Sequence, residues 1–212
     1  MRNVYKIGAL ALAGALALAA CGGSSGGGGT SSSGGGKTVI VSTDLPLQGS
    51  SADSSNATNQ AIELYLEQIG YKAGDYTIQL QKYDDSTAAA GKWDQAQCTK
   101  NAQDHVANAN EVAVMGTYNS GCAKIIVPVL NQDPNGPMLM VSQANTNPGL
   151  TKAWDPGEPD KYYPTGKRNY ARVVTTDDFQ GTAAAQFLAK DQMVKKCYIL
   201  NDNETYGQGV AT

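Results

Sequence analysis

Apolar and polar positions along residues 37–142 follow two rhythms, and each change of rhythm marks an element. Thr38-Val39-Ile40-Val41-Ser42 is a short β-branched run suited to a strand covered on both faces. After a polar Gly/Ser loop, Ala61, Ile62, Leu64, Tyr65, Leu66 and Ile69 recur with helical spacing and stop at Gly70. Tyr76 to Tyr83 alternates Ile78 and Leu80 with Gln79 and Gln81, which predicts a second strand. The acidic turn Asp84-Asp85-Ser86-Thr87 is suited to cap a helix that begins near Ala88, carries Trp93, Ala96, Cys98, Ala102 and Val106, and ends near Asn108. Glu111 to Gly116 reads as a third strand, Ala123 to Leu130 as a short helix, and Pro137 to Ser142 as a fourth strand. Strand and helix in strict alternation imply an α/β fold: a parallel sheet joined by right-handed crossovers, with helices on both faces.

From Gln143 to Asn169 the rhythm breaks. Pro148, Pro156, Pro159 and Pro164 lie among polar residues in a connection too long for the interior of a compact domain, and such a segment is more often functional or interdomain. The alternation restarts with a strand over Ala171 to Thr175, a helix over Gln180 to Met193, a strand over Lys196 to Leu200 and a turn from Asn201 to Gly207. One helix and two strands cannot bury a core of their own, so a second lobe is expected to begin here and remain incomplete. Residues 37–212 by themselves are then expected to bind ligand weakly, expose apolar surface and aggregate.

The amino terminus has a different logic. Met1 to Lys6 is positive, and Ile7 to Ala20 is an apolar run of 14 residues. As a helix it reaches about 21 Å, short of the roughly 30 Å hydrocarbon core, so it reads as the core of a signal peptide. Leu18-Ala19-Ala20-Cys21 resembles the bacterial lipobox, which implies that Cys21 is lipidated and becomes the mature amino terminus. Residues 22–36 are only Gly, Ser and Thr, the composition of a flexible tether. The folded body is therefore expected outside the cytoplasm, held to the cell membrane by lipid. There disulfides persist, and three cysteines remain. Cys98 and Cys122, 24 residues apart, are the expected pair, with Cys197 a small buried hydrophobe inside an apolar run.

Charge and composition remove whole classes of function. The chain has 16 Lys and Arg against 19 Asp and Glu, and without Arg2 and Lys6 the balance is 14 against 19, a net charge of -5. An acidic body with no basic cluster is a poor match for nucleic acid. No metal-ligand spacing is present, and neither Gly116 to Gly121 nor Gly91-Lys92 completes a nucleotide-binding motif, so no cofactor is expected. The single histidine, His105, reads as a surface or hydrogen-bonded residue and not as a catalytic base, and no enzyme activity is expected. Asp84-Asp85 reads as a helix cap in preference to a calcium pair, and Gly166-Lys167-Arg168 as a solvated loop.

Set in order, several short motifs resemble a known family. Lys82-Tyr83-Asp84-Asp85 follows the second strand, and Met115-Gly116-Thr117-Tyr118-Asn119-Ser120-Gly121 the third. Ser142-Gln143-Ala144-Asn145-Thr146 leads into Pro148-Gly149-Leu150-Thr151, and Arg172-Val173-Val174, Asp177-Asp178-Phe179-Gln180-Gly181 and Tyr206-Gly207-Gln208-Gly209 come after. Together they resemble the type I periplasmic-binding-protein fold, in the branch of branched-chain amino-acid-binding proteins of ABC transporters. The resemblance implies two α/β lobes that close on a ligand, with Ser120 giving a hydroxyl to the ligand carboxylate and the Ala144 carbonyl meeting its ammonium. Thr146 would give hydroxyl and N–H contacts, Tyr118 and Asn119 would flank the pocket, and Tyr206 would cover the ligand on closure. The loop Leu45 to Asn56 lacks the tyrosine that some members place over the ligand, Asn119 and Cys122 depart from the best-known members, and the family's second-lobe acid lies beyond Thr212.

The expected organisation is a signal peptide over 1–20, lipidated Cys21 and tether over 21–36, a first lobe over 37–143, a connection over 144–170 and the start of a second lobe over 171–212. The implied function is that of a monomeric receptor capturing an amino acid or related small organic solute for an ABC permease. A sensory or partner-binding lipoprotein on the same fold is the alternative.

Overall fold

The computed structural model describes residues 37–212. The expected signal peptide, lipidated Cys21 and tether lie outside the described residues. Strand β1 (Lys37–Leu45) leads to helix α1 (Ala52–Gln68), then β2 (Lys72–Ala73) and β3 (Tyr76–Asp84). A small ribbon of β4 (Ser86–Thr87) and β5 (Lys92–Trp93) precedes α2 (Gln95–Ala107). Strand β6 (Glu111–Gly116), α3 (Ser120–Asn131), β7 (Leu139–Ser142), β8 (Tyr170–Arg172), α4 (Asp177–Gln186) and α5 (Thr205–Ala211) complete the order. The main sheet runs β2-β3-β1-β6-β7-β8, and every pairing except β2 with β3 is parallel.

Local chemistry explains the boundaries. Gly70, at φ +60°, ends α1 in a left-handed cap: Tyr71 N–H donates to the Leu66 carbonyl at 2.8 Å and Gly70 N–H to that of Glu67 at 3.0 Å. Helix α1 starts nine residues before its apolar stripe, at Ala52, so part of the expected Gly/Ser loop is helical; Ser55 and Asn59 are buried on it. The acidic turn does not cap α2. Asp94 does, its carboxylate accepting from Gln97 N–H at 2.9 Å, while Ser86 to Trp93 folds into the ribbon and takes Trp93 out of the helix. Asp84 instead gathers Leu47 N–H, Ser86 N–H and the Gln48 amide at 2.8–2.9 Å, which offsets its burial and holds its carboxyl below the usual range.

Helices α2 and α3 pack one face of the sheet, with Ala102, Val114, Ile126, Val127, Leu130 and Met140 fully buried. Cys98 and Cys122 are joined by the expected disulfide across the α2–α3 seam. The long connection is part of this core, since Leu150, Tyr162 and Tyr163 are buried in it. It is pinned to α3 by the fully buried Asn131, which donates to the Lys167 carbonyl at 2.7 Å and accepts from Thr165 N–H at 3.0 Å. Lys124 adds a 2.9 Å ion pair to Glu158. Strand β8 pairs with β7, Ser142 opposite Arg172, so the first sheet continues to Arg172.

Beyond α4 the pattern departs from expectation. The helix passes into a π-turn over Phe187–Asp191, and Lys196 to Leu200 forms no strand. A strand needs a neighbour to pair with, and this segment has none among the described residues; Tyr198 is 86% and Leu200 81% exposed. Cys197 is accordingly an exposed free thiol and not a buried hydrophobe.

The disulfide closes a 24-residue separation, for which loop entropy gives about 3 kcal/mol. Full reduction should lower the unfolding free energy obtained from urea titration by that amount, moving the midpoint downward. Superimposable curves with and without reductant would show that the link contributes nothing.

Candidate functional site

Strands β6 and β7 are parallel neighbours, and the turns leaving their carboxyl ends lie side by side, the place where open parallel sheets hold ligands. Strand β6 exits through Gly116, whose φ is +154° and whose Cα faces the Asp44 backbone. A Cβ there would stand 2.4 Å from the Asp44 carbonyl oxygen, so only glycine fits. Thr117 to Asn119 then leads into α3 at Ser120, and β7 exits through Gln143 to Asn147.

Buried hydrogen bonds stitch the two turns together. Ser142 Oγ donates to the Thr117 carbonyl at 2.9 Å and accepts from Asn145 N–H at 2.8 Å. Fully buried Asn145 donates through Nδ2 to the carbonyls of Thr117 (2.9 Å) and Tyr118 (3.1 Å), and its Oδ1 accepts from Tyr170 Oη at 3.2 Å. Arg172 donates to the carbonyls of Asn145 and Asn147, both at 2.9 Å, and to Thr151 Oγ1 at 2.9 Å. Asn147 N–H donates to Ser120 Oγ at 3.3 Å, which leaves the serine its own proton to give.

The loop pair therefore brings Tyr118, Asn119, Ser120, Ala144 and Thr146 to one end of the sheet. Ser120 is buried and the other four are half-buried. The Asn119 side chain does not cap α3, so the first N–H groups of that helix are available to an anion. Asn119 Oδ1 and Thr146 Oγ1 are buried without a hydrogen-bond partner, as are both carboxylate oxygens of Asp177, whose N–H donates to the Thr146 carbonyl at 3.0 Å. Burial pushes the Asp177 carboxyl above its ordinary range. Buried orphans are uncommon because each forfeits its hydration, and clustered ones mark a place where something else can bond.

Helix α5 supplies the opposite wall of an adjoining cleft of about 370 Å³, which has Lys124, Asn147 and Asp155 on one side and Thr205, Gln208 and Gly209 on the other. Tyr206 lies on α5 but lines a different cavity, about 850 Å³, under α4, and its hydroxyl accepts from Gln180 Nε2 at 2.9 Å. Its hydroxyl is thus bonded to α4.

Sequence reasoning missed the polar scaffold. Asn145, Arg172 and Asp177 stand in the quoted motifs, but their roles depend on partners 21–31 residues away that no local rhythm indicates. It also missed the surroundings of His105, which is fully buried between Glu111 Oε1 (2.5 Å from Nδ1) and Asp44 Oδ2 (3.2 Å from Nε2). Burial alone would depress its pKa; the bonds and charges of Asp44 and Glu111 outweigh that and lift it to about 9.

A parallel sheet with a stitched loop pair at adjacent strand ends, an uncapped helix start and unpartnered buried polar atoms has the architecture of a lobe that binds small molecules. Residues 44–212 match the periplasmic binding protein family, and the chain belongs to it. It is 29% identical over 174 residues to the Leu/Ile/Val-binding protein BraC3 of Rhizobium johnstonii, covering 78% of this chain and 40% of that one. Leucine binding protein LivK of Thermotoga maritima superimposes with a TM-score of 0.67 at 21% identity, over 82% of this chain and 43% of that one. LivJ of Streptococcus pneumoniae, in complex with isoleucine, gives 0.66 at 20%, over 82% and 45%. A solute binding protein of R. palustris in complex with 4-hydroxybenzoate gives 0.65 at 20%, over 82% and 42%. The chain thus spans less than half the length of each of these relatives. Among the described residues no helix is long and apolar enough to cross a membrane.

Proposed function

We propose that this chain belongs to an extracytoplasmic solute-binding receptor of an ABC importer, anchored through lipid on Cys21, that captures an amino acid or similar small organic solute and hands it to a permease. The observation that supports this reading is the loop pair, where the Ser120 hydroxyl and the start of α3 offer donors suited to a carboxylate. On the facing turn we assign the Ala144 carbonyl to the ammonium, with hydroxyl and N–H contacts from Thr146. Capture follows from closure, because a ligand touching both lobes favours the closed state by those contacts alone. No covalent step is involved.

A second reading, an aromatic acid as ligand, is supported by the neighbour crystallised with 4-hydroxybenzoate. The buried Asp177 carboxyl beside Thr146 supports a ligand carrying a positive group. A thermal-shift panel of amino acids, their amides and aromatic acids separates the two. Amino acids are expected to stabilise the protein, and Ser120→Ala should weaken the binding about 10–100-fold, the worth of a hydrogen bond to a charged group. Stabilisation by benzoates alone would transfer the assignment to aromatic acids.

A further inference from the structure

The cleft of about 370 Å³ between α3, the long connection and α5 adjoins the loop pair at two points. Asn147, which lines it, donates its N–H to Ser120 Oγ at 3.3 Å. Gly209, on the opposite wall, packs against Asp177, and a Cβ there would stand 2.4 Å from Asp177 Oδ2. Lys124, also in the lining, follows Ser120 by one turn of α3, about 6 Å along the axis, so both lie on one face of that helix.

The polar groups left open in the cleft are of both kinds. Lys124 has three N–H donors and gives one to Glu158 at 2.9 Å, while Tyr162 and Lys161 also hold Glu158. Across the cleft the Thr205 hydroxyl has no partner among the described residues. The acceptors are Asp155 and Gln208. The Asp155 N–H and carbonyl are both engaged with Glu158, but no donor among the described residues reaches its carboxylate. Gln208 commits its Nε2 to Asn203 and keeps Oε1 open. The Trp154 ring, 40% exposed, lines the same space and offers an apolar face.

We propose, building on the amino-acid receptor reading above, that this cleft takes the side chain of the captured solute and selects one ending in a carboxamide, as in glutamine or asparagine. A carboxamide has an acceptor oxygen for Lys124 and Thr205 and two N–H donors for Asp155 and Gln208. The Trp154 face covers its carbon chain. An aliphatic side chain makes none of these bonds and strips water from Lys124 and Asp155 without replacing it, the circumstance in which a polar site rejects an apolar analogue. A carboxylate side chain satisfies Lys124 but sets like charge against Asp155, and an ammonium side chain has the same conflict with Lys124.

Calorimetric titration of the protein as its own cell makes it, against the common amino acids, tests the proposal. Glutamine or asparagine should bind at least about tenfold more tightly than leucine and than glutamate. Asp155→Ala removes an exposed side chain that no donor holds, so the fold should keep its Tm, and the ratio of amide to leucine affinity should fall about tenfold. Should Asp155→Ala prove unstable, Gln208→Leu on the other wall decides by the same ratio. Leucine or glutamate binding within about tenfold of the tighter amide overturns the proposal, as does an amide preference that Asp155→Ala and Gln208→Leu both leave intact; either result leaves the amino-acid receptor reading standing. Absence of binding by every amino acid removes that reading and this proposal with it.

Discussion

Replacing His105 by glutamine is expected to lower the stability of the fold by about 3–5 kcal/mol, the cost of removing one partner from a buried charged network. The histidine is fully buried and joins three elements, since it lies on α2 while Asp44 is on β1 and Glu111 opens β6. The two carboxylates have further partners. Asp44 Oδ1 accepts from Asn101 Nδ2 at 2.9 Å, and the Ser42 hydroxyl donates to Glu111. Glutamine can donate from one position and carries no charge, so the substitution leaves two acidic groups buried without their cation. For a domain of this size the loss corresponds to a fall in Tm of about 10 °C, readable by calorimetry. A Tm within about 3 °C of the native chain would mean that the network is neutralised in another way.

The same network should make stability fall as pH rises from about 5 to about 9. His105 has its pKa raised from 6.5 to about 9, so its contribution is complete below pH 6.5 and is lost as pH rises through 9. The groups that face it are Asp44, Glu111 and the Tyr83 ring, 4.3 Å away; burial, then Glu111, pushes the tyrosine up to about 12, so it stays neutral across this range. Asp85 acts in the same direction. Burial first, then the charges of Asp44 and Asp84, raise it from 3.8 to about 8, so the folded state binds the proton more tightly and stability declines as pH climbs from 4 to 8. On the acid side Glu158 opposes this trend. Its bonds from Tyr162 and Lys124 outweigh burial and hold it at about 2, so its contribution is lost as pH falls below 4.5. The maximum is therefore expected at about pH 4 to 4.5, where the Glu158 contribution is complete and the Asp85 decline begins, with several kcal/mol lost by pH 9. A Tm that is flat or rises from pH 6 to 9 would contradict both assignments, and Asp85→Asn should remove the lower part of the decline.

Much of the architecture was legible because it rests on local periodicity. The β-branched run became β1, the expected third and fourth strands became β6 and β7, the stripe ending at Gly70 became α1, and Cys98 with Cys122 formed the disulfide. The failures came where a local signal competes with a partner far along the chain. Asp84-Asp85 had the composition of a cap, but Asp94, three residues before Gln97, stands nearer the helix and takes that role. Lys196 to Leu200 has the pattern of a strand and no neighbour to pair with among the described residues. His105 read as a surface or hydrogen-bonded residue, and the second alternative holds; its burial was not legible because Asp44 lies 61 residues before it. At the candidate site, Ser120, Ala144 and Thr146 were accessible through a resemblance of motifs. The bonds from Asn145 and Arg172 that position them became visible only in three dimensions.

The central claim is that the turns after β6 and β7 hold a small organic solute through Ser120 and Thr146. Isothermal titration calorimetry of the protein as its own cell makes it, against amino acids, their amides and aromatic acids, tests this most directly. One panel member should bind at a single site with a micromolar or tighter Kd, about -8 kcal/mol or more favourable, and Ser120→Ala should weaken it. Absence of binding by every member at millimolar concentration, or binding that Ser120→Ala and Thr146→Val leave unchanged, would contradict the account.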